Sequence, residues 1–238
     1  MNLKAWLPLL ICVSLLPSAH AGDQIRYSKV AYVHGSAHSL PESRSSERMG
    51  PARLNAASWR ELVEGGRFDR LPYKIMKIRV YFDALAWRDS VDLWGDPKHW
   101  GSLPELMEKG AATPRDLSAA YYVTLRAMGV PSADMRILLG TVPRLDEADR
   151  RVMRPRTLLL VRSGAEVLYI DPLNWTDITT RPPNGFANGL AVNEEGEWML
   201  ANRAIHYAWG AASGIGTYLP AWAHAWEESK PLMAWSNG

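Results

Sequence analysis

Residues 109–131 read KGAATPRDLSAAYYVTLRAMGVP. Gly110 ends one helical pattern, and Gly129 with Pro131 ends the next. Between them, Thr113 suits an N-cap and Pro114 the first helical position. Asp116 follows at the third, where its carboxylate can complete a capping box. Leu117, Ala120, Tyr121, Thr124, Leu125 and Met128 then share one face at helical spacing. A loop entering a helix in this way is a good seat for a nucleophile, because free N–H groups and the helix dipole stabilise negative charge there. Yet this entry holds no cysteine, and its hydroxyls are those of Thr113 and Ser118.

Upstream, helical spacing predicts helices over 55–64, stopped by Gly65-Gly66, and over 72–87, with Ile75, Ile78, Phe82 and Leu85 on one face. Residues 92–100 (DLWGDPKHW) read as a turn-rich connection, and Pro104 to Lys109 as a short helix. Downstream the period changes to that of strands. One is expected over 135–142. Residues 157–161 (TLLLV), the turn Ser163-Gly164 and residues 166–171 form a hairpin. The unbroken apolar run 157–161 suggests a strand buried on both faces. Helices first and an antiparallel sheet after them predict an α+β domain. Residues 201–238 carry Trp209, Trp222, Trp226, Trp235 and a glycine-rich bend at 210–216, and match no element by this reading.

The chain has 238 residues, 47% of them hydrophobic and 22% charged, which argues against disorder. It holds 11 Trp and only 3 Phe. Such rings serve recognition surfaces or fill a core. Residues 1–21 have the form of a secretory signal: Lys4, an apolar run from Trp6 to Leu16, and Ala19-His20-Ala21 before the cut. That run is too short to span a membrane comfortably. Residues 22–54 read as a short strand and a mobile arm, and His34 and His38 within it as solvated loop residues. The one cysteine, Cys12, lies inside the signal. The secreted chain then has no disulfide, thiolate ligand or cysteine nucleophile. The net charge is +2, falling by one with Lys4, so nucleic acid is not an expected partner. GAASGIG at 210–216 lacks the strand-and-helix setting of a dinucleotide fingerprint.

Trp100, Pro104, Glu105, Leu106, Gly110 and Asp116, then LRAMGVP at 125–131 and LYIDPL at 168–173, together resemble the bacterial transglutaminase-like cysteine proteinases. The resemblance covers about residues 59–200. It implies a papain-like, transglutaminase-like fold in which a helix entry carries the nucleophile. A histidine on one strand and an acidic residue on the next complete the triad. Such proteins are periplasmic, and their best-known members cleave large surface adhesins. Here Pro114 falls where the family has its cysteine. Arg156, or its neighbour, falls where it has its histidine, and of the triad Asp171 alone is kept. Thr113 and Arg115 replace the flanking acidic residues that bind calcium in some members, so no metal or other cofactor is expected.

The resemblance with these departures implies a secreted, periplasmic, catalytically inactive relative. It would bind a protein partner in envelope, adhesin or biofilm-matrix biology: a receptor domain, an adhesin or a matrix component. A glycan is a further candidate ligand. The expected binding surface comprises Trp94, His99, Trp100, Thr113, Arg115 and Asp116, with the aromatic tail beside it. Arg156 and Asp171 could pair as ions where the family pairs His with Asp. Two alternatives stand beside this reading. One is a hydrolase of non-cysteine mechanism using His99 and Asp171. The other is a structural protein that oligomerises through residues 201–238.

Overall fold

A computed structural model describes residues 54–173, 178–200, 205–210, 212 and 220–234. The expected leader, the arm as far as residue 53, His34, His38 and most of the glycine-rich bend lie outside the described residues.

Helix α1 (Ala56–Gly66) starts at Asn55, whose side chain accepts from the Ala57 and Ser58 amides. It runs through Gly65-Gly66 rather than stopping there. The reason is packing: a Cβ on Gly66 would stand 2.7 Å from Met128 Cε. Glycine thus lets α1 touch the end of a later helix. Helix α2 (Leu71–Phe82) stops short of the expected Trp87. There the backbone turns outward to a partner distant in sequence. The Ala86 amide donates to Gly110 O at 3.0 Å and Arg88 to Ala112 O at 3.2 Å. This forms the short parallel pair β1 (Ala86–Trp87) and β2 (Ala111–Ala112). The turn-rich connection contains a single-turn helix, α3 (Ser90–Trp94). Helix α4 (Leu103–Lys109) ends at Gly110, whose φ of 62° is left-handed.

Helix α5 (Pro114–Ala127) carries the capping box read from the sequence. The expected single apolar face is too modest a description, since its buried residues run around the whole helix from Asp116 to Ala127. It is the central rod of the domain. Trp59 of α1 donates its indole N–H to Thr124 at 3.0 Å. At the far end, the buried Lys74 ammonium donates to Met128 O at 2.5 Å, a cation at the negative helix end.

Six antiparallel strands follow: β3 (Met135–Leu145), β4 (Arg151–Ser163), β5 (Glu166–Ile170), β6 (Ile178–Thr179), β7 (Ala187–Asn193) and β8 (Gly196–Met199). Their spatial order is β6-β5-β4-β3-β7-β8. One face, with Ile137, Leu159, Val161 and Ile170, joins the helical core. The other, with Leu138, Leu158, Leu160, Tyr169 and Trp198, is buried with Ala208 in the turn 205–209. The Arg136 guanidinium there lies 3.8 Å from the Trp198 ring and 4.9 Å from that of Trp209. Strands β3 and β4 both run further than expected. Pro143 and Pro155 interrupt neither strand, because each lies past the last rung to the neighbour on its outer side, β7 or β5. A missing N–H is tolerated at such edges.

The unplaced tail contains helix α6 (Pro220–Met233). Trp222, Ala225, Trp226 and Met233 of α6 are buried in the main core, and the Leu103 amide donates to Ser229 Oγ at 3.1 Å. The expected recognition surface of the tail is, over these residues, core. No helix among the described residues is long and apolar enough to cross a membrane.

Candidate functional site

The start of α5 is built around Asp116, which has no exposed surface. Its Oδ2 accepts from the Trp94 indole at 3.0 Å and the Thr113 amide at 3.0 Å. Its Oδ1 accepts from the Gly101 amide at 2.9 Å. The Thr113 hydroxyl returns a bond from the Asp116 amide at 3.2 Å. Gly101 is required here, since a Cβ would lie 2.5 Å from both Trp94 Cζ2 and Leu106 Cδ1. Thr113 and Asp116 are thus spent on shaping the loop. Both are buried, whereas the sequence placed them on the expected binding surface. Trp100 is buried too: it is 1% exposed and packs edge-on against Trp222 at 5.9 Å.

Arg115 bends back over the same loop. Its guanidinium donates to Pro97 O at 3.2 Å, to Ser90 Oγ at 3.1 Å and to His99 O, and lies 5.4 Å from the centre of the Trp100 ring. Burial pulls its pKa below the usual arginine value, with Asp116 and Asp96 opposing. Thr113 and Arg115 occupy the two positions that the family resemblance assigns to calcium. A divalent ion there would meet a guanidinium whose oxygen neighbours are already accepting N–H bonds. Asp116, the next residue along, already receives three N–H groups. These residues do not fit a calcium ion. Among the described residues, no group of three or more His, Cys, Asp and Glu side chains gathers for any metal.

Trp94, His99 and Arg115 are the partly exposed members. The His99 Nε2 stands 3.3 Å from the Glu105 carboxylate, and its ring lies 4.6 Å from that of Trp94 and 6.3 Å from that of His224. Burial alone would raise the Glu105 carboxyl. Hydrogen bonds from Ser102 and the charge and hydrogen bond of His99 outweigh it and hold the carboxyl below its usual range. His99 and Asp171 are not partners: Asp171 bonds Arg156 and the Leu173 amide. The dyad expected of a non-cysteine hydrolase does not form.

Pro114 opens α5. Facing it, the Ser118 hydroxyl donates to Pro114 O at 3.2 Å and reaches Thr157 O at 3.5 Å. The first turn of α5 therefore meets β4 at Thr157. The rung Leu139–Thr157 lies on the face of Ile137 and Leu159, toward the helix, whereas Gly140–Arg156 lies on the opposite face. Thr157, and not Arg156, holds the strand position opposite the helix entry. Arg156 reaches Asp171 instead, with Nη2 at 2.6 Å and Nε at 3.0 Å from the same Oδ2. The two side chains are 12% and 9% exposed. This corner of the described structure holds Pro114, Ser118 and Thr157.

A helix entry packed on the central strand of an antiparallel sheet is the transglutaminase-like arrangement, and that is the fold of this chain. Three solved structures of LapG from Legionella pneumophila share it. The calcium-bound form has a TM-score of 0.55 at 20% identity, covering 72% of this chain and 87% of that one. The EGTA-treated form gives 0.55 at 20%, with 72% and 86% covered. A third gives 0.53 at 20%, with 72% and 85% covered. No family model and no curated protein matches the chain.

Proposed function

We propose that this chain is a non-catalytic, transglutaminase-like binding protein of the periplasm. One observation carries the reading: the helix entry that would present a nucleophile presents Pro114, and the strand position opposite it holds Thr157. Neither side chain can form a thiolate or accept a proton as imidazole does. Loss of single triad members already costs many orders of magnitude in comparable hydrolases. The fold likeness to LapG favours a protein as the partner, in adhesin or biofilm-matrix biology. The domain spans about residues 55–200, with α6 packed into its core. The leader over 1–21 would deliver it to the periplasm.

The test is a protease assay on unfolded protein substrates with the full chain. Wild type is expected to match the buffer blank. Turnover that disappears in Ser118→Ala or His99→Ala would overturn the reading and return the protein to the hydrolases.

A further inference from the structure

Helix α2 turns a second apolar face away from the core. Ile75, Ile78 and Phe82 are buried, whereas Tyr73, Met76 and Val80, at i, i+3 and i+7, are 58%, 52% and 69% exposed. Phe68, in the turn just before α2, is 96% exposed. A contiguous apolar stripe of this kind marks a contact with another molecule.

The charges around the stripe say which molecule. Helix α2 is flanked by Arg70 at its N-terminus and Asp83 at its C-terminus, both exposed, and its first turn holds no acid. Each charge opposes the dipole of its own helix, which favours anions at the start and cations at the end. Neither has an ion-pair partner among the described residues. The other charges of α2 are spent elsewhere. Lys77 is bonded to Asp69 at 2.7 Å and to Gly65 O at 2.5 Å, and Lys74 and Arg79 are buried.

The α1–α2 hairpin has two unlike ends. Its open end, where α1 starts and α2 stops, holds a groove of about 650 Å³ lined by Leu54, Leu62, Val80 and Ala84 together with Glu61 and Asp83. Arg60 is exposed on α1 but does not line this groove. The turn end carries Phe68 with the exposed Arg67 and Arg70, against one exposed acid, Glu64. One end is thus basic with a projecting ring, and the other acidic and hollow.

We propose that this stripe is a homodimer contact, with α2 of two copies crossing antiparallel about a two-fold axis. Alignment about the midpoint between Met76 and Lys77 sets Tyr73 against Val80 of the second copy and brings the two Met76 side chains together. The same register sets Arg70 against Asp83 and carries Phe68 to the groove at the other copy's open end. Each charge then lies beside a side chain, and a helix end, of opposite sign. Apolar, charged and shape matches meet in one register, and a second copy brings all three. The contact lies on α1 and α2, not on the elements that form the corner of Pro114 and Thr157, so it stands whether or not the chain is catalytic. Its small extent points to micromolar association.

Sedimentation equilibrium of the full chain over a concentration series tests the pairing. Wild type is expected to pass from monomer to dimer in the micromolar range. Met76→Asp, beside the two-fold axis, should raise the dissociation constant at least about tenfold. Arg70→Glu and Asp83→Arg should each do the same, and the double variant should recover wild-type association, because both pairs reform with signs exchanged. Each single charge variant suits its own helix end better, so its dilute monomer should melt at or above the wild-type temperature. That separates lost pairing from lost folding. A monomer at every concentration, a dimer untouched by Met76→Asp, or single charge variants that the double does not rescue overturns the pairing. So does a monomer that co-sediments with phosphatidylglycerol vesicles through Met76, which would hand the stripe to a lipid surface.

Discussion

Three N–H groups from three separate segments converge on one carboxylate at Asp116: Trp94, Gly101 and Thr113. Removing it would leave these donors facing a small buried void. Each unsatisfied buried donor costs about 1–3 kcal/mol. Partial relaxation keeps the total for Asp116→Ala at about 4 kcal/mol. Urea denaturation should show that loss, and thermal melting a fall of about 10 °C. A change under about 1 kcal/mol would mean that the three donors find other acceptors. Asp116 was legible in sequence as a capping residue, since Thr113, Pro114 and Asp116 stand at capping spacing. Its bonds to Trp94 and Gly101 were not, because they join residues 22 and 15 positions away. Thr157 was hidden for a different reason. A strand apolar on both faces carries no alternation to say which residue points at the helix. Arg156 and Thr157 could be told apart only once the rungs were counted.

At the scale of elements, α4 combines a cap with an acid-sensitive contact. Ser102 and Glu105 close its capping box, and Glu105 also faces His99. Its carboxyl is held below the usual range in the folded state. The stability it contributes is therefore present above the ordinary carboxylate pKa and is lost as pH falls through the folded value. Glu105→Gln should cost about 1 kcal/mol at neutral pH. The gap to wild type should close below about pH 4 in urea melts run across pH. A gap independent of pH would place the effect in packing alone. Caps at this scale read well from sequence, and α4 and α5 both start and stop near the expected residues. The β1–β2 pair did not, because a two-residue strand is defined only by its distant partner. The case of α6 differs again. Trp222, Ala225, Trp226, Ser229 and Met233 do repeat at helical spacing, but glycine and proline nearby obscured the pattern.

For the whole molecule, α6 decides whether the core is closed. Trp222 and Trp226 stack at 6.0 Å, and both meet the fully buried Tyr122 edge-on, at 5.3 Å and 5.9 Å. A chain ending before Pro220 would expose this aromatic cluster and leave the Leu103 amide without Ser229. Loss of one large core ring alone costs about 3–5 kcal/mol, a large part of an ordinary domain's stability. The truncated chain should lose its near-ultraviolet circular dichroism and elute as an expanded or aggregated species. A well-folded truncated monomer would instead mark α6 as an accessory.

The bond from Leu103 to Ser229 spans 126 positions, so the aromatic cluster cannot assemble until α6 has been made. During synthesis, the helices made first would emerge with Trp100 and Tyr122 uncovered. Contacts this remote in sequence also form slowly. The protein is in that sense built to fold late. Until α6 arrives these rings stay uncovered, and they are what a chaperone would grip.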